Sequence, residues 1–295
     1  MGRLRKSYQV ACHKFSFDMD EGDPMWRYIE RAYVPFEVNF SHDSLFNISV
    51  VENVDIQDKE LVYVDDNPEP GYVKIAVFRY SDGYYMEFTQ YGGEMVNGKM
   101  TMSPDGDVEV SLHGEFMDKW MTFTNVVQVV YFIRTSTLDT VMMHASAIFY
   151  KDKSYLFLGQ SGTGKSTHSR MWLQGVEGSE LMNDDHPIVR ISEDGTPVAY
   201  GSPWSGKTHC YRNIQAPVGA IVRIRQEKEN VIRRLRPVES YGSVMSSCSG
   251  FPIEEKYTEG KSSTLQKIIK GVPCWELGCL PNVDAAIVCR DAVCQ

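Results

Sequence analysis

The 295-residue sequence has no apolar run long enough for a membrane-spanning helix, and its first residues lack the basic and apolar segments of a secretory signal. It also lacks a basic surplus, because 39 Asp and Glu outnumber 30 Lys and Arg and give a formal net charge of −9. Proteins that bind nucleic acids or acidic membranes generally need the opposite balance to displace counterions. The sequence therefore predicts a cytoplasmic protein that binds neither nucleic acid nor membrane.

Cysteine is sparse, and its spacing lacks the usual zinc-site pattern. There are seven cysteines, an odd number without a secretory signal, which favours reduced thiols over a disulfide framework. Four lie near the end of the chain, as Cys274 with Cys279 and Cys289 with Cys294, and neither pair has C-x2-C spacing. We expect buried or surface thiols at these positions rather than a metal site.

Two different patterns of hydrophobicity divide the chain. The first part alternates apolar and polar residues in short runs with turn signals between them, as in residues 74–80 and 84–88, which predicts strands. Residues 125–138 are more densely apolar and predict a helix, and the remainder alternates strand and helix signals. We therefore predict a β-rich N-terminal domain over residues 1–124 and an α/β domain over residues 125–295.

A glycine-rich segment follows the apolar, strand-like residues 155–158. It matches G-x-x-x-x-G-K-[ST], in which glycines let successive backbone N–H groups point at one centre at the start of a helix. The lysine of this pattern reaches the β and γ phosphates of a nucleoside triphosphate such as ATP, and the hydroxyl helps to hold Mg²⁺. The alternative is a glycine-rich turn that caps an ordinary helix. The predicted nucleotide-binding residues are Gly159, Gln160, Ser161, Gly162, Thr163, Gly164, Lys165, Ser166 and Thr167.

A second segment, residues 201–208, fits the same pattern. Pro203 removes an N–H from the would-be cradle, and Trp204 is bulky where the backbone must close around phosphate. Because residues 209–217 lack an apolar stripe at helical spacing, we predict a loop here. An aromatic ring, cations and glycines suit recognition of an acceptor molecule, and the alternative is that the tryptophan packs in the core. The predicted acceptor-site residues are Trp204, Lys207 and Arg212.

Two adjacent carboxylates, Asp184 and Asp185, end an apolar segment soon after the predicted helix of the glycine-rich segment. One helix and a short connection would bring the chain back beside the predicted phosphate-binding segment. Adjacent strand residues point to opposite faces, so one carboxylate could hold Mg²⁺ while the other takes a proton from an acceptor hydroxyl. The spacing does not assign the two roles, and a solvated pair at the start of a loop is the alternative. The predicted metal ligands are Ser166, Asp184 and Asp185.

A histidine, His144, begins the strand-like segment before the one that enters the glycine-rich segment. The predicted order of elements is a His-small-x-small strand, a strand that leads into G-x-S-G-x-G-K-S, a helix, and a strand that ends in Asp-Asp. This order resembles the C-terminal catalytic domain of HPr serine kinase/phosphorylase, which is related to the phosphoenolpyruvate carboxykinase type of P-loop. The resemblance covers residues 144–185 and, more loosely, the chain that follows. It implies a P-loop α/β fold, ATP or another phosphoryl donor, Mg²⁺ and phosphoryl transfer to a hydroxyl, with His144 near the phosphates and Asp184 and Asp185 as metal ligand and catalytic base. With the lysine of the glycine-rich segment, the predicted catalytic residues are His144, Lys165, Asp184 and Asp185.

The sequence departs from that family in two places. Its β-rich N-terminal half does not look like the family's N-terminal domain, and the family's glycine-rich signature after the Asp-Asp strand is missing. The resemblance therefore predicts a kinase that acts on a hydroxyl of a protein, peptide or small molecule, without implying HPr as the substrate. A nucleotide-binding regulatory protein without efficient transfer and a nucleotide hydrolase are the alternatives. The sequence does not fix the oligomeric state, and a homo-oligomer is compatible with it.

Overall fold

The computed structural model describes residues 2–39, 43–66, 72–206 and 208–295. The chain divides into two compact units, of which unit 1 is Met1–Thr135 with Gly250–Thr258, and unit 2 is Ser136–Ser249 with Glu259–Gln295. Two sheets and several helices make the fold mixed α/β. No helix among the described residues combines the length and the apolar character needed to cross a membrane.

Unit 1 is built on one sheet of eight strands. The strands are β1 (Arg3–Val10), β2 (His13–Asp20), β3 (Phe46–Val50), β4 (Glu60–Asp65), β5 (Val73–Tyr80), β6 (Gly83–Gln90), β7 (Val96–Met102) and β8 (Asp107–Leu112). Their order is β1-β2-β3-β8-β7-β6-β5-β4, and only the pairs β2–β3 and β3–β8 are parallel. The alternating runs of the sequence therefore form strands, and the turn predicted around residues 81–83 joins β5 to β6.

Two α-helices and a short 3-10 helix accompany these strands: α1 (Met25–Tyr33), the 3-10 helix (Val34–Phe36) and α2 (Phe116–Thr135). The helix predicted from residue 125 begins at Phe116 instead, so the predicted boundary between residues 124 and 125 falls inside α2, which belongs wholly to unit 1. A side chain at Gly98 of β7 would collide with Thr122 of α2, so glycine lets the helix lie close against the sheet. The apolar residues that suggested a new domain are thus core of the first unit.

The second sheet positions the candidate site. Its strands are β9 (Thr140–Met142), β10 (Ala145–Tyr150), β11 (Lys153–Leu158), β12 (Glu180–Asp185), β13 (Ile188–Ile191), β14 (Pro197–Tyr200), β15 (Gln215–Gln226), β16 (Val231–Arg234) and β17 (Cys274–Cys279). The long strand β15 belongs to two branches. Its start pairs with β14 in a branch β15-β14-β13-β9, and its later part lies between β11 and β17 in the order β12-β10-β11-β15-β17-β16.

Helices cover both faces of the six-stranded branch. They are α3 (Lys165–Gly175), α4 (Pro237–Met245), α5 (Glu255–Gly271) and α6 (Val283–Val293). One face packs against α3 and α6 through residues such as Trp172 and Cys289, and the other packs against α4 and α5 through Val244 and Leu265. Because β11, β15 and β17 are parallel, their carboxyl ends meet at one edge of the sheet, where α3 begins.

One buried histidine of α3 makes stability depend on pH. Nε2 of His168 accepts a hydrogen bond of 3.1 Å from Nε1 of Trp172, and its ring packs edge-on against Phe157. Burial lowers the pKa of His168 from 6.5 to about 4. Between these values the unfolded chain binds a proton that the folded chain does not, so lowering the pH through this window removes stability, and raising it above pH 6.5 changes little.

We therefore expect His168 to remove about 3 kcal/mol from the free energy of unfolding between pH 7 and pH 4. Denaturant titrations over this range should show a shallower pH dependence in His168→Gln, which keeps an acceptor for Trp172. Other histidines contribute equally to both proteins, so the difference isolates His168. Identical pH dependence in the two proteins would contradict its burial as a neutral base.

Candidate functional site

The first glycine loop (residues 159–167) joins β11 to α3, as the sequence pattern requires. Gly162 and Gly164 have φ angles of 77° and 106°, which glycine adopts without the strain that a side chain would add. Gly164 is the N-cap of α3, and a 3.2 Å hydrogen bond from Thr163 N to Gln160 O tightens the turn before it. The free N–H groups of the first helical turn and the positive end of the helix dipole make this a place where an anion is stabilised.

Lys165 is the first residue of α3 and is only 9% exposed. Its Nζ donates hydrogen bonds to the carbonyl oxygens of Gly159, at 3.0 Å, and Gln160, at 3.3 Å. Burial lowers the pKa of Lys165, and the carboxylates of Asp185 and Asp184 partly offset that shift. Among the described residues, no carboxylate lies within ion-pair distance of this ammonium group. A buried cation held over the glycine loop without a paired anion is suited to binding phosphate.

The pairing of β12 with β10 separates the two adjacent carboxylates. Asp184 lies opposite Ser146, whose hydroxyl is 2.5 Å from that of Ser169 on α3, so Asp184 belongs to the face that α3 covers. Asp185 lies opposite Ala145, which packs on the other face of the sheet. The two carboxylates therefore occupy different surroundings, as the strand periodicity predicted.

Asp184 is the more enclosed carboxylate, with 5% of the residue exposed. In the described parts of the chain no cationic side chain pairs with it, and its nearest charged neighbours include Lys165, whose pKa it raises. An ionised carboxylate in such a place needs a cation, because the cost of burying an unpaired charge is large. Asp184 therefore has the surroundings of a ligand for a cation that enters with the substrate.

The carboxylate of Asp185 lies close to two histidine side chains. Its Oδ1 lies 3.6 Å from Nδ1 of His144, and its Oδ2 lies 3.2 Å from Nδ1 of His186. Burial opposes ionisation of Asp185, but His186, His144 and Lys165 together outweigh it and lower the pKa of the carboxyl. Its φ of 153° is rare for a residue with a side chain, and strain of this kind collects at functional sites. Asp185 is thus held ionised at the end of β12.

His144 is held as a neutral base or ligand. Burial, with help from the charge of Lys165 and from His186, lowers the pKa of His144 to about 4. Nδ1 of His186 is buried, and its one close polar contact among the described residues is with Oδ2 of Asp185, at 3.2 Å. The ligand atoms of His144, Asp185 and His186 lie within 4.8 Å of one another and could hold a metal ion. Sequence reasoning did not select His186, although its position directly after Asp185 was a signal.

The second glycine loop (residues 201–208) leads to no helix among its described residues, as predicted. It lies beside the carboxylates: Gly206 N donates to Asp184 O at 2.7 Å, and Ser205 forms an isolated bridge with Asp185. Nδ2 of Asn183 fastens it by hydrogen bonds to the carbonyl oxygens of Ser202 and Trp204, at 3.3 and 3.2 Å. The second glycine loop therefore lies beside the two carboxylates.

The three residues named for the acceptor site differ in their placement. Trp204 is 2% exposed, so its ring packs in the interior and offers no platform to a ligand, which agrees with the alternative stated for it. Arg212 turns away from the Asp185 end of β12, because its guanidinium donates to the Leu181 carbonyl at 2.7 Å and pairs with Glu180 at 2.6 Å. Lys207 lies outside the described residues. Among its described residues, the loop contacts the two aspartates through Ser205 and Gly206.

Comparison with known proteins adds little to this geometry. No protein-family model matches the sequence, and no curated protein sequence matches it. Among solved structures, the chain is similar to the Hpr(Ser) kinase/phosphatase from Coxiella burnetii, with 12% sequence identity and a TM-score of 0.31. The similar part covers 52% of this chain and 93% of that one. A likeness this slight says nothing about activity, which has to come from the site itself.

Proposed function

We propose that this protein is a Mg-ATP-dependent phosphotransferase that transfers a phosphoryl group to a hydroxyl of a protein, peptide or small molecule. The observation that carries the proposal is that the buried side chains of Lys165 and Asp184 form no ion pair with any residue that the structure describes. A buried ammonium group and a nearby buried carboxylate that do not form an ion pair with each other are the two halves of a site for a metal-bound polyphosphate.

Binding of the nucleotide belongs to the first glycine loop. Backbone N–H groups at residues 159–167 would surround the phosphate oxygens, and the α3 dipole would add to their effect. Lys165 would leave the carbonyl oxygens of Gly159 and Gln160 and donate to the β and γ phosphates, a stronger acceptor than either carbonyl. The choice of ATP over another nucleoside triphosphate rests on the family resemblance alone.

The donors present fit Mg²⁺ on one side of β12. Magnesium prefers oxygen ligands and retains waters, and the enclosed carboxylate of Asp184 and the exposed hydroxyl of Ser166 provide such oxygens. The mixed nitrogen and oxygen cluster of His144, Asp185 and His186 instead has the chemistry of sites for manganese or zinc. Mg²⁺ would neutralise charge on the phosphates.

On this assignment the two carboxylates divide the work that the sequence left open. Asp184, on the α3 face, would hold Mg²⁺, and Asp185, on the other face, would accept the proton of the acceptor hydroxyl. Its lowered pKa keeps Asp185 ionised at neutral pH, as a proton acceptor must be, and His144 and His186 would fix its orientation. Ser205 and Gly206, which lie against these carboxylates, would form the wall on the acceptor side.

A nucleotide hydrolase is the second candidate, and one observation favours it. The side chain of Asp185 is 32% exposed, so water could reach the position of the acceptor hydroxyl. The two activities differ in their response to an acceptor, because a kinase consumes more ATP when its hydroxyl substrate is present and a hydrolase does not.

The test is ADP production by the purified protein with Mg-ATP, measured alone and with a library of peptides that contain Ser, Thr or Tyr and with polyhydroxyl small molecules. We expect an acceptor-dependent rise that Lys165→Ala loses. Release of phosphate at one rate with every acceptor would favour the hydrolase, and failure of the wild-type protein to bind any nucleotide would refute both.

A further inference from the structure

A second cation lies at the same edge of the sheet as the first glycine loop. Arg223 on β15 is paired in register with Leu158, the last residue of β11 before that loop. Its neighbours Val222 and Ile224 pack on the α3 and α6 face, so Arg223 projects from the opposite face, where it meets Ser243 of α4. It is close enough to Lys165 for its charge to lower the pKa of that lysine.

Neutral groups hold Arg223 in place. Its guanidinium donates to the hydroxyls of Ser243, at 2.7 Å, Ser246, at 2.7 Å, and Ser247, at 3.2 Å, and also to the Ser243 carbonyl. The backbone carbonyl of Ser247 accepts a 2.7 Å hydrogen bond from the N–H of His144. The serines thus fix the arginine on the side of the site where His144 lies.

The charge of Arg223 is only partly balanced by the residues that the structure describes. No carboxylate of the described residues is within ion-pair distance of it. Burial and the nearby Arg225 lower the pKa of Arg223, and the carboxylate of Glu276 offsets only part of that shift. Arg225, two residues further along β15, shows the ordinary arrangement, since its Nε lies 2.8 Å from Glu276 and its side chain is 61% exposed. Two partly buried cations, Lys165 and Arg223, are therefore held near each other with no described carboxylate in ion-pair contact with either, and an anionic ligand between them would relieve their mutual repulsion.

We propose that Arg223 binds the terminal phosphoryl group of the nucleotide, from the side on which transfer occurs, and so is a second phosphate-binding residue that acts with Lys165. This inference rests on the proposed function. A planar guanidinium suits two oxygens of a phosphoryl group, and in that position it stabilises the charge that builds up during transfer. Lys165 contacts the β phosphate as well, whereas Arg223 would contact only the group that is transferred.

The alternative is a purely structural role, in which Arg223 ties α4 and residues 246–247 to the sheet. The two roles differ in nucleotide selectivity. A structural defect would weaken the binding of ADP and of a triphosphate alike, whereas loss of a contact to the terminal phosphoryl group would weaken only the triphosphate.

The test is calorimetric titration with Mg-ADP and with the Mg complex of the non-hydrolysable triphosphate AMP-PNP. We expect Arg223→Gln to weaken AMP-PNP binding about tenfold or more and ADP binding less than about twofold. Arg225→Gln is the matched control on the same strand and should change neither affinity. Lys165→Ala should weaken both.

Other outcomes would overturn the inference. Suppose that the wild-type protein binds both nucleotides. If Arg223→Gln then loses affinity for both equally, or for neither, Arg223 is not part of the phosphate site, and the proposed function still stands. Absence of binding by the wild-type protein removes the proposed function and this inference with it. Should Arg223→Gln not fold, the same titrations of Arg223→Lys decide, because lysine keeps the charge but loses the fork: selective loss of AMP-PNP affinity supports the contact, and equal or no loss overturns it.

Discussion

Replacement of Lys165 by alanine is expected to weaken binding of Mg-ATP by about 100-fold or more and to abolish turnover, with the protein still folded. The ammonium group is buried, unpaired with any described carboxylate, and bonded only to two carbonyl oxygens of the first glycine loop. Removing it takes away the cation that would face the β and γ phosphates, and it does not break an ion pair of the fold. Calorimetric titration measures the affinity, and thermal unfolding checks the fold.

The matched control is Lys207→Ala, which lies in the second segment that matches the G-x-x-x-x-G-K-[ST] pattern. Its ATP affinity should equal that of the wild-type protein, because no helix follows the second glycine loop and Trp204 occupies the interior there. Loss of ATP binding in Lys207→Ala with normal binding in Lys165→Ala would mean that nucleotide binds to the other loop.

The two carboxylates at the end of β12 should have separable effects. We expect Asp185→Asn to lower the rate of transfer about 100-fold or more while ATP affinity changes little, because an amide cannot accept the hydroxyl proton. Asp184→Asn should instead weaken binding of ATP in the presence of Mg²⁺, with little effect in its absence. Steady-state rates with a known acceptor and titrations with and without Mg²⁺ make the distinction.

The opposite pattern of effects in the two variants would assign the two roles the other way round. If Asp184→Asn spares Mg²⁺-dependent binding and abolishes transfer, the carboxylate on the α3 face is the base, and the assignment from strand register is wrong. Wild-type turnover in both asparagine variants would remove the catalytic interpretation of the pair.

Local patterns were sufficient to predict the elements that carry the site. Residues 155–158 form part of a strand, the glycine-rich segment turns into a helix at Lys165, and a further strand ends at Asp185, because each of these features depends on a few consecutive residues. The same local logic rejected residues 201–208 as a second phosphate loop. Strand periodicity also predicted that adjacent carboxylates would face different surroundings.

The features that the sequence did not predict depend on contacts between residues that are far apart in the chain. The apolar residues of α2 indicated a helix but not the sheet against which it packs, so the predicted boundary at residue 124 falls within that helix. Arg212 was expected at the acceptor site, yet Glu180 lies close to it in the fold and pairs with it. The pairing of β12 with β10 places His144 close to Asp185, and the pairing of β15 with β11 places Arg223 beside the first glycine loop, which spacing along the chain does not show.

A crystal structure with AMP-PNP and Mg²⁺ is the most direct test of the site. The account predicts that the triphosphate lies along residues 159–167, that Lys165 has moved from the loop carbonyls to the β and γ phosphates, and that the metal lies on the Asp184 side of β12. Asp185 should face the terminal phosphoryl group across an open position for the acceptor hydroxyl. A nucleotide bound elsewhere, or phosphates that do not touch the first glycine loop, would contradict the proposed function.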